Sequence, residues 1–205
     1  MAQIPGSGLS QVEIDRAAQI DRTAQITAGS GTLVHLKDAV RLGQHTRLKA
    51  CQQGRIALGS AVSLGRGAEI VARAGSIEIG AFTSIGALCH LFSAAKIKIG
   101  RNCQIGNRVT LYAQPLAPSQ SAAGPIVIED HCWIGNNVLI LAGVTIGQHS
   151  VIGDDAVIVS NIPAFSVAAG QPARSFNGGL REVLQDDIPT DAGYGIRTAL
   201  KPYLK

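Results

Sequence analysis

The chain has few rings. Phe, Trp and Tyr supply 4% of its 205 residues, with one Trp and one Met. A core so poor in aromatics must be packed from Ile, Leu, Val and Ala, which suits many small repeated layers. Charge is also scarce, at 16% against about a quarter in ordinary globular domains. Disordered chains pair low hydrophobicity with high charge, so 46% apolar content excludes disorder here. The A/E/K/L/R enrichment and heptads of a coiled coil are missing too. No run approaches eighteen apolar residues, so no membrane partner is expected. Met1 to Ser10 lacks the basic and apolar segments of a signal peptide, and a cytoplasmic location follows as an expectation. The four cysteines form no CxxC pair.

Basic residues exceed acidic ones by four, with a pI near 9.0. They are scattered, and no run is longer than Arg47-Leu48-Lys49, so no nucleic-acid partner is expected. A solvated surface or an anionic small ligand accounts for the excess. What is abundant is glycine: 24 of 205 residues, about 12% where ordinary chains have roughly 7%.

Internal periodicity explains that glycine. Large aliphatics recur every six residues as Ile14, Ile20, Ile26; Leu42, Leu48; Leu58, Leu64, Ile70; Ile79, Ile85, Leu91; and Ile99, Ile105, Leu111. The series Ile128, Ile134, Ile140, Ile146, Ile152, Ile158 runs without a slip. Gly often follows the aliphatic, and a small residue stands four positions after it. Six fits neither a helix nor a heptad, but an even period returns each aliphatic to the same face of a strand. The sequence therefore predicts an all-β solenoid of short strands, three sides to a coil of about eighteen residues, with Gly supplying the turn geometry. Slips such as that between Ile70 and Ile79 are expected to be bulged corners.

The register assigns the polar and reactive residues. Cys89, Cys103 and Cys132 fall in the small inward slot, where free Cys acts as a small hydrophobe. Cys51 lies off the pattern. His45, His131 and His149 stand three residues after an aliphatic, at outward corners; His131 and His149, eighteen apart, should stack. His90 points outward, His35 is unpatterned, and no metal site is expected. Trp133 precedes Ile134 and should face away from the core, against a neighbouring subunit, a ligand, or both.

Between Leu111 and Ile128 the register fails in a Pro-, Ser- and Gly-rich stretch, Ala113 to Pro125. The expected organisation is an N-terminal extension (1–11), a solenoid (12–162) with a projecting loop (112–126), and a C-terminal segment (163–205). That last segment should carry a short helix, Leu180 to Gln185, and a tail.

Three stretches carry a family resemblance: Ile126-Val-Ile-Glu-Asp-His-Cys-Trp-Ile-Gly135, Ala142-Gly-Val-Thr-Ile-Gly147 and Ala169-Gly-Gln-Pro-Ala-Arg174. Across roughly residues 12–176 the chain resembles the hexapeptide-repeat acyltransferases, in the sugar and xenobiotic O-acetyltransferase branch typified by galactoside and maltose acetyltransferases. The resemblance implies a left-handed parallel β-helix, a homotrimer, and acetyl-CoA as co-substrate held in a groove between subunits. It also implies a loop histidine that takes the proton of an acceptor hydroxyl, for example a sugar's. Here residues 112–125 contain no histidine. Gln114 stands nearest the expected place, and an amide cannot accept that proton at neutral pH; His90 is the fallback base. The cofactor positions carry over to Trp133, Asn136, Gly143, Asp154, Ser160 and Arg174. Asn136 replaces the family's small polar residue, Asp154 its Ala, and Ser160 its common Lys, whereas Arg174 matches a position that meets CoA phosphates. Two readings follow: an acyl-CoA-dependent O-acyltransferase, or a non-catalytic trimeric scaffold or partner subunit of an active relative.

Overall fold

A computed structural model describes residues 10–114 and 124–177. The expected helix at Leu180 to Gln185 lies outside these residues, as does most of the loop. The described chain is all strand and turn: twenty-three short strands in three sheets of seven, nine and seven. Successive strands visit the sheets in rotation, so the chain winds around a three-sided prism. Strands pair in parallel with their counterparts one coil before and after, on one side only at the ends of the sheets, save one final antiparallel hairpin.

The unbroken hexad series shows the rule. Strands Ile126–Ile128, Trp133–Ile134 and Leu139–Leu141 lie on the first, second and third faces; Thr145–Ile146, Val151–Ile152 and Val157–Ile158 repeat the circuit. Ile128, Ile134, Ile140, Ile146, Ile152 and Ile158 all point inward and are solvent-free. Ile14, Ile20 and Ile26 are the exceptions, partly exposed in a first coil that has a neighbouring coil on one side only among the described residues. The second face continues past Ile162 with Ser166–Gly170 and closes on the antiparallel strand Ala173–Asn177.

The coil of about eighteen residues holds only near the end, where Val127 pairs with Thr145. Earlier circuits are longer: Gln11 pairs with Leu33, Leu33 with Arg55, Arg55 with Ser76 and Ser76 with Lys96. The slips are mainly longer strands rather than bulges. Glu69–Arg73 and Ser76–Ile79 each place two residues inward, adding Ala72 and Ile77 beside the hexad residues Ile70 and Ile79. Two-residue alternation, as in Ile77-Glu78-Ile79, was the signal for them.

The role of glycine also differs from expectation. Left-handed backbone falls three residues after the inward Ile, at Phe82, Asn102, His131, His149 and Phe165 along the first corner, with φ between 54° and 61°. Glycine bears that backbone at Gly31 and Gly67, with φ of 70° and 68°, but the Gly directly after the aliphatic, as at Gly80, Gly100 and Gly106, does not. What demands it is stacking: a Cβ on Gly106 would stand 2.5 Å from the carbonyl oxygen of Gly135 in the next coil.

Inside, Cys89, Cys103 and Cys132 occupy the small slots, each Sγ directed at a backbone carbonyl: Gly106 at 3.1 Å, Glu129 at 3.1 Å and Gly147 at 3.2 Å. Burial pushes the Cys89 thiol up, and hydrogen bonding with Cys103, then burial, holds Cys132 protonated. The hydrogen bond with Cys132 lowers the Cys103 thiol in turn, but all three are closed off from solvent and serve as packing groups. Outside, His131 stacks on His149 at 4.8 Å, as the eighteen-residue spacing predicts, and Phe165 extends the pile at 5.0 Å.

Two predictions follow from these columns. Ser93 takes the inward place that Ala72 and Ala113 hold in flanking coils, and its Oγ is buried without a hydrogen-bond partner among the described residues. Ser93→Ala should raise stability by about 1 kcal/mol, read from the urea midpoint, because the uncompensated hydroxyl is removed. Burial, then the neighbouring His131, lowers the pKa of His149. The unfolded chain therefore binds its proton first, and stability should fall as pH drops below about 6.5, the ordinary His value. His149→Phe should remove that part of the slope in urea melts compared between pH 7.5 and 5.5.

Candidate functional site

The prism distributes the expected site residues around its girth. Gln114 follows Thr110–Ala113 on the third face and sits, half-buried, where the chain turns into the third corner. Gly143 and Ser160 occupy the same corner in the next two coils. The loop returns there through Gly124 and Pro125, whose carbonyl oxygen accepts a hydrogen bond from Gly143 N at 3.0 Å. A Cβ on Gly124 would meet Gly143 Cα at 2.6 Å, so the returning chain lies flat on that corner. Gly143 has φ of 85° and open space where its Cβ would be. Ser160 is exposed, and its neighbour Asn161 closes the turn by accepting from Thr145 N at 2.8 Å.

Trp133 belongs to the second face, which lies opposite that corner. Its side chain points outward as the register predicts, between Gln104 and Val151 in the outer row. It is half-buried rather than free, and Val151 beside it is 2% exposed despite its outward position. Arg174 is exposed on the same face, three strands further on.

Asn136 and Asp154 stand at the second corner and are occupied with each other. Asn136 N and Nδ2 donate to Asp154 Oδ1 at 2.6 and 3.2 Å. Asn136 Oδ1 in turn accepts from Asn107 N at 2.9 Å and Nδ2 at 3.1 Å, and Asn107 Oδ1 accepts from Ala87 N at 2.9 Å. A parallel row runs beside it: Arg108 Nε donates to Asn137 Oδ1, and Asn137 Nδ2 to Asp155 Oδ1 at 2.9 Å. The residues that depart from the family pattern thus tie successive coils together. Sequence reasoning missed this ladder because its members lie eighteen to twenty-nine residues apart.

His90 lies on the third face in strand His90–Ser93, pointing outward. Its outer row runs Arg47, Glu69, His90, Thr110; the adjacent row runs Lys49, Val71, Phe92, Tyr112, Leu141. His90 Nδ1 is 3.5 Å from Glu69 Oε2, with both side chains partly open to solvent. The His90 ring lies parallel to Phe92 at 6.0 Å, and Tyr112 meets Phe92 edge-on at 6.4 Å. Sequence reasoning named His90 but not Glu69, Phe92 or Tyr112. The pairing of Glu69 with His90 crosses a coil, and only the true coil length reveals it. Gln114 and His90 therefore share one side of the prism, Trp133 and Arg174 another, and Asn136 and Asp154 a corner. Among the described residues no three His, Cys, Asp or Glu side chains gather as a metal-holding group, and no helix is long and apolar enough to cross a membrane.

Comparison with known proteins agrees with this architecture. Residues 125–160 match the family described as bacterial transferase hexapeptide (six repeats). A Schizosaccharomyces pombe protein, named provisionally as an acetyltransferase, is 41% identical over 93 residues, covering 42% of this chain and 45% of its own. A Saccharomyces cerevisiae protein, likewise provisionally named, is 34% identical over 107 residues, covering 49% and 53%. The chain thus spans about half the length of these relatives. The crystal structure of the polySia-specific acetyltransferase NeuO superposes with a TM-score of 0.72 at 23% identity, over 86% of this chain and 82% of that one. At that identity the likeness is one of fold. Repeats, coil and structural likeness agree on a hexapeptide-repeat β-solenoid, and residues 125–160 carry the match to the bacterial transferase hexapeptide family.

Proposed function

We propose that the protein transfers an acetyl group from acetyl-CoA to a hydroxyl of a sugar or related small molecule, in grooves between the copies of a homotrimer. The relatives named as acetyltransferases support the chemistry. The observation that carries the location is the one interruption of the stack. Ile97 pairs with Ile126, twenty-nine residues on, where the other coils need sixteen to twenty-two. The surplus chain leaves the third corner at the end of the face whose outer rows carry His90, Phe92 and Tyr112. Within one chain that corner lies opposite the face with Trp133 and Arg174, so no single copy gathers all of these residues. A neighbouring copy bringing its second face against the first copy's third corner supplies the missing wall.

In that groove Arg174 would meet CoA phosphates, and Trp133 offers its ring to the cofactor or the neighbouring copy. Asn136 and Asp154 border the groove but spend their hydrogen bonds on the coil stack, so their part is to hold its wall straight. Gly143 and Ser160 leave the third corner low beside the returning loop. His90 Nε2 takes the acceptor's hydroxyl proton as the oxygen attacks the acetyl carbonyl carbon. The tetrahedral intermediate then collapses with loss of the CoA thiolate, and the imidazolium returns the proton to it, leaving the acetyl ester and CoA thiol. Gln114, at the mouth of the loop, can orient the hydroxyl but not deprotonate it.

Gln114 also favours a second reading, in which the chain is a non-catalytic trimeric scaffold or partner subunit. Calorimetric titration separates the two. Heat of acetyl-CoA binding followed by thiol release with a panel of sugars is expected, and absence of binding at millimolar ligand would overturn the enzyme. His90→Ala should lower turnover about 10²–10⁴-fold, the usual worth of a general base; unchanged turnover clears His90. Light scattering should give three times the 21.3 kDa chain mass, and a monomer at micromolar concentration would sink the shared groove.

A further inference from the structure

We infer that Glu69 is the positioning residue for His90, and that Phe92 with Tyr112 forms the floor on which the acceptor's ring lies. The inference rests on the transferase reading but adds to it residues that the repeat alone does not mark.

Glu69 and His90 are direct partners across parallel strands, Glu69–Arg73 and His90–Ser93, both projecting from the third face. The prism wall fixes their backbones, because Ile70 and Leu91, the next residues in each strand, are fully buried. Glu69 Oε2 faces Nδ1 at 3.5 Å, the nitrogen nearer the backbone. A neutral imidazole carries one proton, and the partner of one nitrogen decides which. With a carboxylate at Nδ1 the proton sits there, and the Nε2 lone pair is left toward solvent, as a base must hold it. A carboxylate behind the ring also stabilises the imidazolium formed when the acceptor's proton arrives. The charged and titratable neighbours in this row are Arg47, on the far side of Glu69, and His90 itself; Thr110 follows. Arg47 pairs in register with Glu69 from the coil before, on the side away from the His90 ring.

The floor is the adjacent row. Phe92 stands two residues along the same strand from His90, its ring parallel to the imidazole, and Tyr112 closes the far edge. A pyranose presents an apolar C–H face and a rim of hydroxyls. Laid on Phe92, it would carry its rim toward His90 Nε2 on one side and the tyrosine hydroxyl on the other. Val71 and Leu141 continue the apolar row on either side. His90 and the Tyr112 hydroxyl, the polar groups nearest Phe92 in these rows, therefore lie at the edges of the floor.

The test combines an activity readout with one that needs none. In steady-state kinetics, Glu69→Gln should lower kcat about tenfold or more with both KM values unchanged, and should have no further effect in a His90→Ala background. Glu69→Asp should recover part of the loss, and Phe92→Ala should raise the acceptor KM while sparing the KM for acetyl-CoA. Separately, ¹⁵N NMR of the imidazole, assigned by loss of its signals in His90→Ala, should show the Nδ1–H tautomer in the native protein and its depletion in Glu69→Gln. If Glu69→Gln leaves kcat unchanged while His90→Ala loses activity, the positioning role is overturned and the base stands. An Nε2–H tautomer in the native protein overturns it whatever the activity. An inactive native protein that shows the Nδ1–H tautomer, lost in Glu69→Gln, overturns the transferase reading and leaves the Glu69–His90 arrangement standing.

Discussion

Each coil rests on the next at the spacing of hydrogen-bonded strands, roughly 4.8 Å, and that single distance governs the molecule. A residue on any side of the prism has as its closest neighbours the residues in the same place one coil above and below. Every column must therefore be compatible with itself. Aliphatics stack on aliphatics inside, and glycine lies over glycine where backbones nearly touch, as at Gly106 and Gly135. Imidazoles pile on imidazoles at the first corner. Aromatic content can stay low because no side chain has to reach far across a core only one coil deep.

This rule also decides how much could be read from the sequence. Hexad aliphatics, inward cysteines and the His131–His149 stack depend on residues in the same or next circuit at a regular interval, so the spacing exposes them. The longer early coils were illegible as hexads because Ala72 and Ile77 follow a two-residue alternation inserted into the six-residue one. The turn geometry was assigned to glycine because glycine is the usual bearer of left-handed backbone. Here that backbone is forced on Asn102, His131 and their like by cross-coil hydrogen bonds, and glycine answers to crowding instead. Trp133 was placed outward correctly, but its half-burial depends on the row containing Val151, whose burial no hexad rule foretells.

The functional residues divide along the same line. Gln114, Gly143 and Ser160 come from one corner and Trp133 from the face opposite, so one copy does not bring them together. Asn136 and Asp154 were read as cofactor positions from motif alignment. In the fold both are members of a hydrogen-bonded ladder, and their departures from the family pattern make sense as parts of it. His90 gained weight for the opposite reason. Isolated in the sequence, it acquires a carboxylate from the coil before it, and Tyr112 from the coil after it meets the Phe92 ring at its side.

The ladder at the second corner also has a sense of direction. Each asparagine receives protons from the coil before it and hands its own to the coil after, from Ala87 through Asn107 and Asn136 to Asp154, and in the parallel row from Arg108 through Asn137 to Asp155. An asparagine can relay such a chain indefinitely, whereas an ionised aspartate only receives. Both rows finish on carboxylates, side by side in one coil. The pair thus acts as a chemical full stop, written in side chains, that tells the amide relay where it ends.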